Sequence, residues 1–187
     1  MIQCLYDCFK HWCKSGSVYI LSDTHFEDYD CKLMDKNWIA PQEQVDLINK
    51  IVYPSDTFVC LGDCGNPKWF NQIRANLKVL ITGNHDVGST TYKKYFDEIY
   101  KGPVFISDKI LLSHEPIDLK FCLNIHGHDH TGTKVYSRNG CEHINVAANV
   151  CDYEPINLGK IIKEGALSKI DSIHRITIDN AGDKRYE

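Results

Sequence analysis

A chain of 187 residues is the usual size of one domain and can bury a full core without disulfides, a structural metal or a partner. Its 21 Lys and Arg against 25 Asp and Glu give a formal net charge of -4, so no basic surplus announces a nucleic-acid partner. The nine cysteines are odd in number and irregular in spacing, which excludes the disulfide framework of a small secreted protein and fits a reducing cytosol.

From the N-terminus, Met1 to Ser17 lacks a basic leader and any run long enough for a signal peptide or a membrane span, so a soluble, unprocessed, cytoplasmic protein is expected. Ile2, Leu5, Phe9 and Trp12 recur at helical spacing and predict an amphipathic helix, a helical extension over 1–16 laid on the body or on a second copy of the chain. A single domain is expected over 17–187. Short runs rich in branched and aromatic residues follow, at Val18–Leu21, Thr57–Leu61, Val79–Ile81, Lys109–Leu112 and Phe121–Ile125, and read as buried strands. Later runs over His143–Val150 and Ile173–Ile178 read as further strands. Between them, Gln42–Tyr53 forms a helix behind Pro41, Asn66 caps one opening at Pro67, Thr90 caps one burying Tyr92, Tyr95, Phe96 and Ile99, and Leu158–Ile170 forms a helix weakened by Gly159 and Gly165. Strand and helix alternate early and strands dominate late, so the expected fold is α/β, two stacked mixed β-sheets flanked by helices.

Each early strand delivers the chain into a polar cluster: Asp23-Thr24-His25, Gly62-Asp63-Cys64-Gly65-Asn66, Gly83-Asn84-His85-Asp86, His114, and His126-Gly127-His128-Asp129-His130. Ligands of α/β sheets gather where strand ends meet loops. A pair of divalent ions needs several neutral imidazoles, a carboxylate able to bridge, and a neutral oxygen donor. The clusters supply all three, with Asp63 the expected bridge and Asn84 the amide oxygen.

The order of these motifs, D-x-H, G-D-x-x-N, G-N-H-D, a lone His and G-H-x-H, resembles the calcineurin-like metallophosphoesterase superfamily from Tyr19 to His130. Asp-Thr-His-Phe at Asp23–Phe26 and the tail from Ile144 to Ile156 resemble a small branch found in bacteria and phages. The resemblance implies a four-layer sandwich and a dinuclear centre: Asp23, His25, Asp63 and His130 on one metal, and Asp63, Asn84, His114 and His128 on the other. Mn2+ is the leading candidate, with Fe, Ni2+ and Zn2+ as alternatives. It implies hydrolysis of a small phosphodiester or phosphomonoester, nucleotide-type favoured, by in-line attack of a metal-bridging hydroxide. His85 would face the phosphate and protonate the leaving oxygen, Asp86 would support that imidazole, and Asn66 would touch phosphate or simply cap a helix. The competing class is a binding module that keeps the fold without turnover.

Other readings carry less weight. The His126–His130 run is one residue too short for the H-x-H-x-D-H motif of metallo-β-lactamase-like hydrolases, and His126 is expected in a supporting or packing role. Cys4, Cys8, His11 and Cys13 match no zinc spacing, and Cys64 reads equally as a core filler or an oxidisable neighbour of the metals. Phe26, Tyr29, Trp38 and Trp69 are more often core than a nucleobase rim. The acidic loop Glu27-Asp28-Tyr29-Asp30 would repel long DNA or RNA, so a small phosphoester is the expected partner.

Overall fold

The computed structural model describes residues 3–86 and 90–171. Its strands are β1 (Gln3–Cys4), β2 (Val18–Leu21), β3 (Thr57–Cys60), β4 (Leu77–Thr82), β5 (Glu98–Lys101), β6 (Val104–Ser107), β7 (Ile110–Leu112), β8 (Leu123–His126), β9 (Val135–Arg138), β10 (Cys141–Asn145) and β11 (Ile156–Asn157). Helices α1 (Tyr6–Trp12), α2 (Cys31–Met34), α3 (Pro41–Ile51) and α4 (Leu158–Lys163) lie between and around them. The strands form two mixed sheets, ordered β1-β6-β7-β8-β10-β9 and β11-β2-β3-β4-β5. The expected architecture of two stacked mixed sheets flanked by helices is the observed one.

The five apolar runs became strands because their branched side chains are buried on both faces: every residue of β3 and β8 is buried. Parallel pairing of β2, β3 and β4, and of β7, β8 and β10, brings successive strand ends to the same edge of each sheet. Backbone bonds then join the two sheets there, Ser22 N–H donating to Val146 O at 2.9 Å and Val146 N–H to His126 O at 2.7 Å. One edge of the sandwich therefore collects most of the polar clusters.

Four expectations are corrected. The helix from Thr90 is a single 3-10 turn at Tyr92–Lys94, and Ile99 lies in β5, paired in parallel with β4. Asp97 enforces the switch, since its carboxylate accepts from Lys78 N at 2.7 Å and docks the chain on the open edge of β4. The helix after Leu158 ends at Lys163, with Gly165 at φ +95, a left-handed conformation that glycine adopts without strain. Strand character in His143–Val150 stops at Asn145, and Ala148–Cys151 is a 3-10 turn. The N-terminal helix is shorter than expected and follows a strand; Trp12 is 1 % exposed in the common core, its Nε1–H donating to Glu98 at 2.9 Å. The expected strand at Ile173–Ile178 and the side chains of Cys4 and Cys8 lie outside the described residues.

Candidate metal centre

The loops after β2 and β3 run side by side. Asp23 N–H donates to Gly62 O at 2.9 Å, His25 N–H to Asp63 O at 3.0 Å and Phe26 N–H to Cys64 O at 3.0 Å. The loops after β7 and β8 are joined likewise, Gly127 N–H to His114 O at 2.9 Å, and His128 N–H reaches across to Asp23 Oδ2 at 2.8 Å. A Cβ on Gly127 would overlap the Asp23 carboxylate and the Ser22 hydroxyl, so only glycine permits this approach.

Four of the expected ligands stand on left-handed backbone: Asp23 (φ 56), His25 (φ 41), Asp63 (φ 51) and His128 (φ 67). Each such residue costs of order 1 kcal/mol unless its surroundings impose it. Here the turns bring Asp23 and His25 into one group and Asp63 and His128 into a second.

Their ligand atoms gather in two groups, Asp23 with His25 and His130, and Asp63 with His114 and His128. Asp63 Oδ2 lies between the groups, 3.3 Å from His114 Nε2 and 3.8 Å from His25 Nε2. Asn84 Oδ1 sits 2.8 Å from His114 Nε2, and His128 Nδ1 is 3.2 Å from the same atom.

Three of the histidines are tied down by their outer nitrogens. His25 Nδ1–H donates to Asp28 Oδ2 at 3.1 Å, His114 Nδ1–H to Leu61 O at 2.9 Å and His130 Nδ1–H to Asn149 Oδ1 at 3.1 Å. Each acceptor lacks a proton to give, so each outer nitrogen carries the hydrogen, and in a neutral ring the inner Nε2 of His25 and of His130 is left as an acceptor beside the carboxylates. Asp23 Oδ1 and His25 Nε2 are buried without a hydrogen-bond partner. Lone pairs converging on lone pairs, in a buried place, lack a positive centre, which a divalent cation could supply. The donor set of imidazole, carboxylate and amide oxygen suits a transition metal.

The carboxyls respond to this crowding in opposite ways. Burial raises the pKa of Asp23, which is 0 % exposed, above the carboxylate range. Burial opposes ionisation of Asp63 too, but the His114 ring and the His85 N–H at 2.9 Å outweigh it and hold the carboxyl low. Burial likewise disfavours charge on His114, yet Asp63 and Asp23 together raise its pKa. Among the described residues neither aspartate meets a lysine or arginine within ion-pair distance; the cationic side chains that approach them are histidines.

The residues expected to meet substrate separate. His85 is exposed beside His25, ring centroids 5.7 Å apart, and lines an opening of about 300 Å3 with His25, Phe26, Glu27, Asp28, Gly65 and Asn66. Asp86 does not support the His85 ring as the sequence reading had it. Its carboxylate accepts from the backbone N–H of Asp63, Cys64 and Gly83 at 2.8 to 3.1 Å and from the Tyr92 hydroxyl at 3.1 Å, pinning two motif loops together. Asn66 caps its 3-10 turn through Lys68 N–H at 3.2 Å and donates its amide to Glu27, so both its ends are occupied.

His126 is packed inside, with Nδ1–H on Gly127 O at 2.7 Å and Nε2 accepting from Tyr136 Oη at 2.9 Å. Burial drives its pKa down to about 4. Cys64 is a core filler, 0 % exposed, its thiol 3.6 Å from that of Cys60. Phe26 and Trp38 are core as well, Trp69 donates its Nε1–H to Glu27 at 3.0 Å, and Tyr29 alone stands free at 95 % exposure.

Asp28 and Asn149 escaped the sequence reading. A carboxylate three residues after an expected ligand histidine is a visible signal, but it reaches His25 only because His25 and Glu27 both take left-handed backbone. Asn149 follows β10 and holds His130 from the other side, its amide also donating to His130 O at 2.8 Å.

No protein-family model matches the chain. An uncharacterized protein of Methanocaldococcus jannaschii is 27 % identical over 176 residues, covering 78 % of this chain and 89 % of that protein. A crystal structure of a protein of unknown function from Aquifex aeolicus is 28 % identical, with a TM-score of 0.64 over 79 % of this chain and 98 % of that one. An archaeal phosphodiesterase, 19 % identical, gives a TM-score of 0.45 over 70 % of this chain and 82 % of that one. Among the described residues no helix is long and apolar enough to cross a membrane.

Proposed function

We propose that the chain is a metal-dependent phosphoric ester hydrolase acting on a small phosphodiester or phosphomonoester, nucleotide-type favoured, with two divalent transition-metal ions shared through Asp63. The observation that carries this reading is the convergence of two His/Asp groups whose outer ring nitrogens are already engaged. Asp23, His25, Asp63 and His130 hold one ion, and Asp63, Asn84, His114 and His128 the other. When bound, such ions neutralise phosphoryl charge and acidify the attacking water.

The chain's own residues supply the rest. His85, exposed at the mouth and anchored through its backbone to Asp63 Oδ1, holds a proton at its ring for the leaving oxygen. Asp86 fixes the loops that carry Asp63 and His85 relative to one another. Glu27 and Asp28 on the rim present negative charge, which favours a small ester over a polyanion.

The test uses the purified protein stripped of metal and reloaded with Mn2+, Ni2+ or Zn2+, offered an aryl monophosphate and a bis-aryl phosphate. Turnover of at least one ester that disappears with chelator is expected. No turnover with any of the three metals would refute the enzyme reading in favour of a binding module.

A further inference from the structure

Beside the proposed centre, on its solvent side, a third group of ligand atoms comes together: His25, Asp28 and Cys31 each place one within 4.8 Å of the others. The residues are three apart in sequence, and the left-handed turns at His25 and Glu27 fold the segment back so that Cys31, the first residue of α2, lies under His25. The Cys31 thiol is 2 % exposed and makes one weak contact, to His25 O at 3.6 Å. Asp28 is oriented for the purpose, since Oδ1 accepts from Asp30 N–H at 3.1 Å while Oδ2 points at His25 Nδ1.

We propose that His25 Nδ1, Asp28 Oδ2 and Cys31 Sγ form a further divalent-cation site, distinct from the paired centre, for a thiophilic ion of the Zn2+ class. A nitrogen and an oxygen bound to one tetrahedral ion at about 2.0 to 2.2 Å lie roughly 3.4 Å apart. The observed nitrogen–oxygen separation of 3.1 Å, now spanned by a proton, opens slightly around an ion, and the thiol sulfur, within 4.8 Å of both, closes to roughly 3.6 Å. The mixed nitrogen, oxygen and sulfur set selects Zn2+, Co2+ or Cd2+ over Mg2+ or Ca2+. The fourth coordination position opens into a cavity of about 700 Å3 lined also by Trp38, Lys32 and Tyr29, which gives ions and water a way in.

Binding displaces the thiol proton of Cys31 to solvent, and the Nδ1 proton of His25 moves to Nε2 when that nitrogen is free or leaves when it is engaged. The site shares His25 with the centre proposed above but stands on its own three atoms. With both occupied, the ring serves two ions as a bridging imidazolate.

Metal-free full-length protein titrated with Co2+, followed by the near-ultraviolet thiolate-to-cobalt charge-transfer band, tests the proposal. The band is expected in the wild type and in Asp63→Ala, absent from Cys31→Ser and Cys31→Ala, and shifted to at least ~10-fold higher Co2+ in Asp28→Ala. A band that persists in the Cys31 variants, or is missing from folded wild type at saturating Co2+, overturns the site. Asp63→Ala separates the two readings, because it disables the paired centre and leaves these three ligands intact.

Discussion

The molecule contains two histidine-rich regions, and they differ in what surrounds the rings. At the strand ends, His25, His114, His128 and His130 face Asp23 and Asp63, carboxylates buried at 0 % and 2 % and balanced by imidazoles alone. Within the six-stranded sheet, His126 and His143 lie against Tyr136 and Asp118. There the His126 ring is satisfied at both nitrogens, and Tyr136 stacks on His143 with centroids 4.8 Å apart. Neither nitrogen of the His143 ring has a hydrogen-bond partner, but Asp118, 3.0 Å from its Nε2, is already neutralised by Arg138 at 2.7 Å and bonded by Asn139. Those two donors hold its pKa below the usual range. What marks the strand-end cluster as a candidate metal centre is therefore buried carboxylate that no lysine or arginine neutralises, not the number of histidines.

The sharpest way to break this contrast is Asp63→Ala. It removes the carboxylate between both groups, and turnover and retained metal are both expected to fall by at least ~10²-fold, read by ester hydrolysis and elemental analysis. His85→Ala comes next: metal content stays at the wild-type level while kcat drops by ~10² to 10⁴. Full activity in that variant would end the leaving-group role. Asp28→Ala frees His25 to rotate, and its affinity for the paired centre is expected to weaken ~10- to 100-fold in a metal titration.

On the other side of the contrast, Tyr136→Phe leaves His126 Nε2 without its donor and is expected to cost about 1 to 3 kcal/mol of stability with metal content unchanged. Metal loss in that variant would merge the two regions. The smallest effect is on pH. A buried His126 with a folded pKa near 4 binds fewer protons than the unfolded chain, whose histidine titrates near 6.5. Stability from this residue is therefore unaffected above about pH 6.5 and declines as pH falls toward 4. His126→Gln is expected to flatten that part of the thermal-unfolding profile.

The strands and the polar motifs that gather at their ends were legible because burial on both faces demands continuous apolar runs, and each run here stops at a polar motif. Tyr92, Tyr95, Phe96 and Ile99 misled because their spacing is helical, while the open edge of β4 and the Asp97 carboxylate drew the segment into a sheet. Asp86 misled differently. Adjacent to His85 in sequence, it turns away to collect three backbone N–H groups, a role set by the approach of two loops that periodicity cannot report. Asp28 and Asn149 were hidden for the same reason, since each meets its histidine through turns rather than through strand or helix spacing.

The central claim is that the strand-end cluster works by holding a pair of ions through Asp63. Titrating metal-free protein with Mn2+ while following both bound metal and bis-aryl phosphate hydrolysis tests it most directly. Turnover is expected to rise with metal and saturate at two ions per chain in the wild type, and to stay at background in Asp63→Ala. Full turnover in the chelated protein, or in Asp63→Ala, would contradict it.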